Sequence, residues 1–431
     1  MPDGRQVPFF ESHLLGGASV INGCVHTFGS ELKWKPILKR FNTNYKELKD
    51  SYNKIYSKSQ YNNNKICLTE ASQNIIDKAF YKALGDMNIP MGDTNFSDYE
   101  SCGPILNTAN KFYRTSVLSL IENKLFKVTM GEKVEDILFD DQWKVSGIKT
   151  DKRLIEADYV ILSGGVIGNF DLLTKLKNKQ YENRKNILKS IKIGKDIKDH
   201  TNLRINIIAN KKIGSLNEIT NNFYKRFLLL FQHMFGKRTL MRGTGASSAV
   251  HLDLNNDGEV DTRIQIVQFT ETGRLGSDGS LFSNEPGFSL SITTLNPKSK
   301  GEINLNQSDS IVNPKYLSSI NDLEMLKMAL NFSMKLLRSK SISKHIFKIV
   351  DENEIENNIE NYIFSNVFSG HHLIGGTHNL INTNFEVNKI GGLYVCDASI
   401  FSDYAASNIH ASVVMISDIF TNKFIEKNFD S

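Results

Sequence analysis

The sequence predicts a mixed fold, α/β plus α+β, on three observations. Residues 159–163 (YVILS) form a continuous apolar run followed by Gly164 and Gly165. That is the pattern of a strand buried on both faces and closed by a tight turn. Residues 247–269 alternate apolar and polar side chains, as in Arg263-Ile264-Gln265-Ile266-Val267-Gln268-Phe269, and 288–295 and 301–305 continue the alternation. The middle of the chain therefore reads as antiparallel sheet. Asn321 with Glu324 three residues later resembles a capping box, opening a helix with Leu323, Leu326, Leu330, Met334 and Leu337 on one face.

The remaining segments follow in order. Residues 43–65 are rich in Asn, Lys, Ser and Tyr and read as a surface excursion. Short apolar-rich pieces at 124–128, 133–138 and 145–149, separated by Gly131 and Asp140-Asp141, read as strands and hairpins. The segment 223–242 (FYKRFLLLFQHMFGKRTLMR) has an apolar core flanked by cations and is expected as a core helix or a lid over a pocket. An interfacial membrane anchor is its minority reading. Residues 391–396 (GGLYVC) give another buried strand, and 409–424 a closing helix.

Composition bounds the function. The chain has 431 residues with 40% hydrophobic side chains, enough to bury a core and to exclude global disorder. Its length predicts two to three domains at roughly 150 residues each. Fifty-two Lys and Arg against 47 Asp and Glu leave +5, too dilute a charge for nucleic acid. Four cysteines, Cys24, Cys67, Cys102 and Cys396, exclude a disulfide scaffold and lack zinc-ligand spacing. Residues 1–10 do not read as a signal peptide, and no apolar run reaches the ~18 residues of a membrane span. The compartment is unknown from sequence, with the cytoplasm as the default.

Two motifs fail on context. Gly243-Thr244-Gly245-Ala246-Ser247-Ser248 looks like a phosphate loop but is followed by a strand pattern, whereas such a loop needs a helix there. Residues 253–261 (DLNNDGEVD) match the opening of an EF-hand loop, yet position twelve is Ile264 and a hairpin around Asn256-Asp257-Gly258 explains them. No metal site is assigned. Two other blocks do carry chemistry. Leu14-Leu15-Gly16-Gly17-Ala18-Ser19-Val20-Ile21-Asn22-Gly23-Cys24-Val25 lets backbone approach a ligand closely. Residues 369–377 (SGHHLIGGT), then Leu393-Tyr394-Val395-Cys396-Asp397-Ala398-Ser399 and Ser407-Asn408-Ile409-His410, set a histidine upstream of a strand end that carries a carboxylate.

Together these blocks resemble the glucose–methanol–choline (GMC) oxidoreductases. Residues 16–25 are similar to the family's GGSSxxNG motif and 193–200 (IGKDIKDH) to VGxNLxDH. Residues 297–305 (PKSKGEINL) resemble PxSxGxxxL, and Pro314-Lys315-Tyr316-Leu317 with Asp322 resembles PxYL…D. The chain ends in HxxGG at 372–376, LYVxDAS at 393–399 and an Asn at 408. The resemblance runs from about Gly4 to Lys423. Phe28, Ile409, His378 and Asn379 depart from the usual family residues.

The resemblance implies an FAD-dependent enzyme that oxidises the CH–OH group of a small-molecule alcohol or sugar, the electron acceptor being unknown. It implies an FAD/NAD(P)-binding-like α/β domain, incomplete and discontinuous (1–40, 110–200 and 370–431). An antiparallel-sheet substrate domain (201–369) and a surface or lid excursion (41–109) complete the division. His372 becomes the catalytic base and Asn408 its partner, with His371 and His410 as alternative bases. Imidazole suits the role because it titrates near neutrality, and an amide can donate to a developing alkoxide. Gly16, Gly17, Ser19, Asn22, Gly23, Cys24, Val25, Val134, Gly164, Gly165, Asp397 and Ala398 become cofactor-binding residues. The family's opening strand–GxGxxG–helix unit is not found, so this chain alone is expected to bind FAD weakly or not at all. Truncation, or a separate chain supplying the ADP-binding unit, would account for that. The rival reading is a non-catalytic remnant or binding protein, with calcium at 253–261.

Overall fold

The computed structural model describes residues 1–6, 9–58, 64–121, 126–178, 192–271, 283–306 and 309–429. Its largest element is an antiparallel sheet in the strand order Ile346–Ile349, Thr201–Ala209, Gly287–Thr294, Thr262–Val267, Ala246–Leu252, Ser101–Pro104, with Phe368–Ser369 added on Thr201–Ala209. The alternation expected from sequence splits this sheet into two faces. Leu203, Ile205, Val250, Ile264, Ile266, Leu290 and Ile292 form one, packed on the helices Ile75–Gly85 and Ile320–Leu337. Asn202, Arg263, Gln265 and Thr293 belong to the other.

A second core joins the terminal parts of the chain. Val160–Leu162 pairs in parallel with Leu393–Val395, so Gly164-Gly165 and Asp397 emerge side by side at the carboxyl ends. The helices Gly165–Asn178 and Ile409–Asn428 pack here with Phe170, Leu173, Met415 and Phe420. Lys195–Lys198 lies antiparallel between Gly301–Asn306 and Ile374–Gly376, with Lys198 opposite Ile374. That register brings the residues following Lys198 against those preceding Ile374. Val25–His26 pairs with Leu106–Thr108, which pairs with Ile66–Glu70.

Several expectations change. Residues 41–109 are no surface excursion. They include the helix Tyr45–Ile55 and the strand Ile66–Glu70, and Leu48, Ile66 and Phe80 are fully buried. Polar composition hides the few apolar residues that face inward. The helix at 320 starts from Ser319 without a side-chain cap, and Asn321 lies inside its first turn. The strand at 160 is buried on one side only, since Ile161 is 43% exposed. The piece expected over 124–128 falls partly outside the described residues, and 126–128 has no regular structure. The segment 223–242 does form a helix, Phe223–Met234, but none of its residues is buried. A core helix is thereby excluded.

Candidate active site

The site is assembled around one buried carboxylate. Asp199 accepts hydrogen bonds from Ser369 Oγ at 2.5 Å, from the His372 N–H at 2.8 Å and from Tyr316 OH. Burial pushes its acidity down, raising the pKa against these three donors. One side chain thus ties His372 to the strand end at 369, the turn at 316 and the junction after Lys198.

The antiparallel register then sets His200 opposite His372, and their Nδ1 atoms lie 2.9 Å apart. His200 Nε2 is 3.0 Å from the Leu295 carbonyl, which can only accept, so this nitrogen carries the proton. Burial holds His200 neutral, with a pKa of about 3, so its Nδ1 is an acceptor. His372 must therefore donate from Nδ1, leaving its Nε2 lone pair free of a proton. Burial, with help from the Arg263 charge, likewise keeps His372 well below the ordinary imidazole value. Tyr404 locks the pair, stacking on His200 at 3.8 Å and donating to the His372 carbonyl at 2.8 Å.

Arg263 is a residue the sequence reading missed. It is 4% exposed, donates from Nη1 to Thr27 Oγ1 at 3.2 Å, and its Nε has no partner among the described residues. Burial lowers its pKa to about 10, and its charge disfavours protonation of His200, His251 and His372. Its position across the sheet from His251 and Thr293 gives no signal in linear sequence beyond a charge inside an alternating strand.

Asn408 precedes the helix Ile409–Asn428 and donates from Nδ2 to the Val25 carbonyl at 3.4 Å. Its Oδ1 is buried without a partner among the described residues, as are Ser407 Oγ, His410 Nε2 and both ring nitrogens of His26. Such a group of unpaired buried polar atoms fits a polar ligand, because leaving them unmet costs free energy. Burial depresses His410 to about 4. His371 stands apart, exposed, with Phe10 at 5.6 Å.

The glycine block makes a sharp turn leading into Val25–His26. Gly16 has φ +91°, and a Cβ there would meet Val20 at 2.9 Å, whereas Gly17 at φ +54° faces open space. Ser19 Oγ donates to the Gly16 carbonyl at 2.6 Å. Asn22 Oδ1 accepts from the Cys24 N–H at 3.0 Å and from Arg114 at 2.7 Å. The Gly23 carbonyl accepts from Thr244 Oγ1 at 3.0 Å, and burial raises the Cys24 thiol.

At the parallel strand ends, Asp397 accepts from the Gly165 N–H and Asn169 Nδ2, both at 2.7 Å, and from Ser399 N and Oγ at 2.8 and 2.6 Å. Four donors fill a carboxylate's acceptor sites. Asp397 therefore fixes the Gly164-Gly165 turn and offers no further acceptor to a ligand. Ala398 opens the short 3-10 turn Ala398–Ile400 directly after it. Val134 begins the strand Val134–Phe139 opposite Thr150, 37% exposed, and its pairing does not connect it to the histidines. In the 253–261 turn, Asp253 accepts from the N–H groups of Asp257 and Gly258 at 3.1 and 2.8 Å. Among the described residues no cluster of three or more His, Cys, Asp or Glu is placed to hold a metal.

Residues 297–417 match a family model described as GMC oxidoreductase. The alcohol dehydrogenase [acceptor] of Pseudomonas putida is 23% identical over 457 aligned positions, covering 94% of this chain and 80% of its own. The oxygen-dependent choline dehydrogenase of Staphylococcus saprophyticus is 21% identical, with 96% and 81% covered. Among solved structures, a formate oxidase superposes with a TM-score of 0.84 at 14% identity, covering 98% of this chain and 85% of its own. Pyridoxine 4-oxidase from Mesorbium loti gives 0.80 at 14% identity, with 98% and 86% covered. These superpositions establish a shared fold, and residues 297–417 are similar in sequence to the GMC oxidoreductases.

Proposed function

We propose that this chain is an FAD-dependent oxidoreductase that removes hydride from the CH–OH carbon of a small-molecule alcohol or sugar. The observation that carries the proposal is the His200–His372 pair, whose hydrogen bonds leave a proton-free Nε2 on a buried, neutral imidazole. A base of that kind takes the hydroxyl proton as hydride leaves carbon. Asn408 assists by donating to the developing alkoxide, and the nearby Arg263 charge favours an anionic oxygen over a second proton on His372.

The unpaired polar atoms around Asn408 and the open turn at Gly17 fit a flavin, which when bound supplies the hydride acceptor. Gly16, Gly17, Ser19, Asn22, Gly23, Cys24 and Val25 would hold it along one segment, with Gly164, Gly165 and the Ala398 turn at the other. Asp397 sets the shape of that second segment.

The test is spectroscopic. Protein assayed with FAD in large excess, as the weak binding expected of this chain requires, should show flavin absorbance that an alcohol or sugar bleaches without oxygen. His372→Ala should keep the absorbance and lose the bleaching. Bleaching at the wild-type rate in that variant would remove the role given to His372.

A further inference from the structure

The helix Phe223–Met234 is mounted with its polar side inward. Lys225 pairs with Glu218 at 2.8 Å, and His233 reaches Thr239 Oγ1 at 3.0 Å and the Phe112 carbonyl at 2.6 Å. At 100° per residue, Phe223, Phe227, Leu230, Phe231 and Met234 share the opposite side. Their exposure runs from 47% at Leu230 to 69% at Phe223. Phe235, 66% exposed, continues the stripe past the helix end. Contiguous apolar surface of this kind marks a contact site rather than a solvated face.

Charge identifies what covers it. Residues 223–242 contain five cations and no Asp or Glu. Lys225 and Arg238 pair with Glu218 and Glu70, whereas Arg226 and Lys237 have no carboxylate partner among the described residues. An apolar stripe bordered by unpaired cations is complementary to an anionic lipid surface. No helix among the described residues is long and apolar enough to cross a membrane, so the contact is peripheral. We propose that this face docks on the surface of an anionic bilayer. Phe227, Phe231 and Phe235 enter the acyl boundary, with Arg226 and Lys237 at the phosphates.

The test is flotation of the full chain with vesicles of phosphatidylcholine, with or without phosphatidylglycerol. The protein should float with the anionic vesicles, less so as salt is raised, and stay behind with phosphatidylcholine alone. Phe227→Asp with Phe231→Asp should abolish flotation while near-ultraviolet circular dichroism stays unchanged, because both side chains project into solvent. Should that pair not fold, Phe223→Ser with Met234→Ser carries the same expectation. Arg226→Gln and Lys237→Gln should each weaken partitioning roughly fivefold. Wild-type protein that ignores anionic vesicles, or aspartate variants that float undiminished, would overturn the proposal. A dimer that these variants dissociate, with no vesicle binding, would assign the face to a second copy instead.

Discussion

The Nδ1 atoms of His200 and His372 face each other at 2.9 Å, and the Leu295 carbonyl beyond His200 decides which of them donates. Replacing His200 by Leu strands the His372 donor in a buried position. That should cost about 1–3 kcal/mol of stability. Flavin bleaching should slow in His200→Leu and recover in part in His200→Gln, whose amide oxygen can accept. Chemical denaturation and stopped-flow absorbance would check the two halves.

Rate against pH tests the neutral state of His372. Burial and neighbouring positive charge lower its pKa, so the base remains unprotonated where a free imidazole would titrate. Anaerobic flavin reduction should stay level as pH falls through about 6.5, the unperturbed value. A half-maximal rate near that pH would show an ordinary solvated histidine.

Arg263→Met should raise the pKa of His372, because the guanidinium disfavours the imidazolium. The acid limb of the same profile should then move toward neutrality, and Arg263→Lys should hold it near its wild-type position. An unchanged limb in the Met variant would place Arg263 outside the electrostatics of the base.

Stability should also fall with acid. His26, His200 and His251 are buried and neutral with pKa values of about 3, while in the unfolded chain they take up protons near 6.5. From about pH 7.5 to 6 the unfolded state gains protons that the native state refuses, so acid favours unfolding. Linkage gives about 0.8 kcal/mol per imidazole over that interval, or roughly 2 kcal/mol for three. Urea midpoints at the two pH values measure it.

Gly29→Ala should be among the more damaging single changes. Gly29 has φ +102°, and a Cβ there would come within 2.1 Å of the Ala405 carbonyl. That carbonyl also accepts from the Ser30 N–H, fixing the loop that leads to Asn408. A loss of about 2 kcal/mol or more follows from strain and overlap together. A melting temperature within a degree of wild type would contradict it.

The alternation at 262–267 and 287–294, the Gly-Gly turn at 164–165 and the closing helix were all legible, because each follows from local periodicity or a local turn. His372 and Asn408 are proposed through the motifs around them. Asp199 was legible only as a letter in a motif, since its partners at 316, 369 and 372 meet it through sheet register. Arg263 was hidden for the same reason. The helix at 223 shows a different limit. Its apolar stripe is real, but periodicity gives a stripe without saying whether it faces a core or the outside.

The large sheet has a consequence for how the protein is made. Its strand Ser101–Pro104 and the short strand Phe368–Ser369 lie far apart in sequence, and Asp199 needs the Ser369 hydroxyl. During synthesis His200 has no His372 to face until residue 372 has left the ribosome. Until then, strands already made carry a buried-type charge, Arg263, and unpaired edges in the open. Such non-local pairing folds slowly. Chaperone protection of the nascent chain should therefore matter most between the emergence of Asp199 and that of His372.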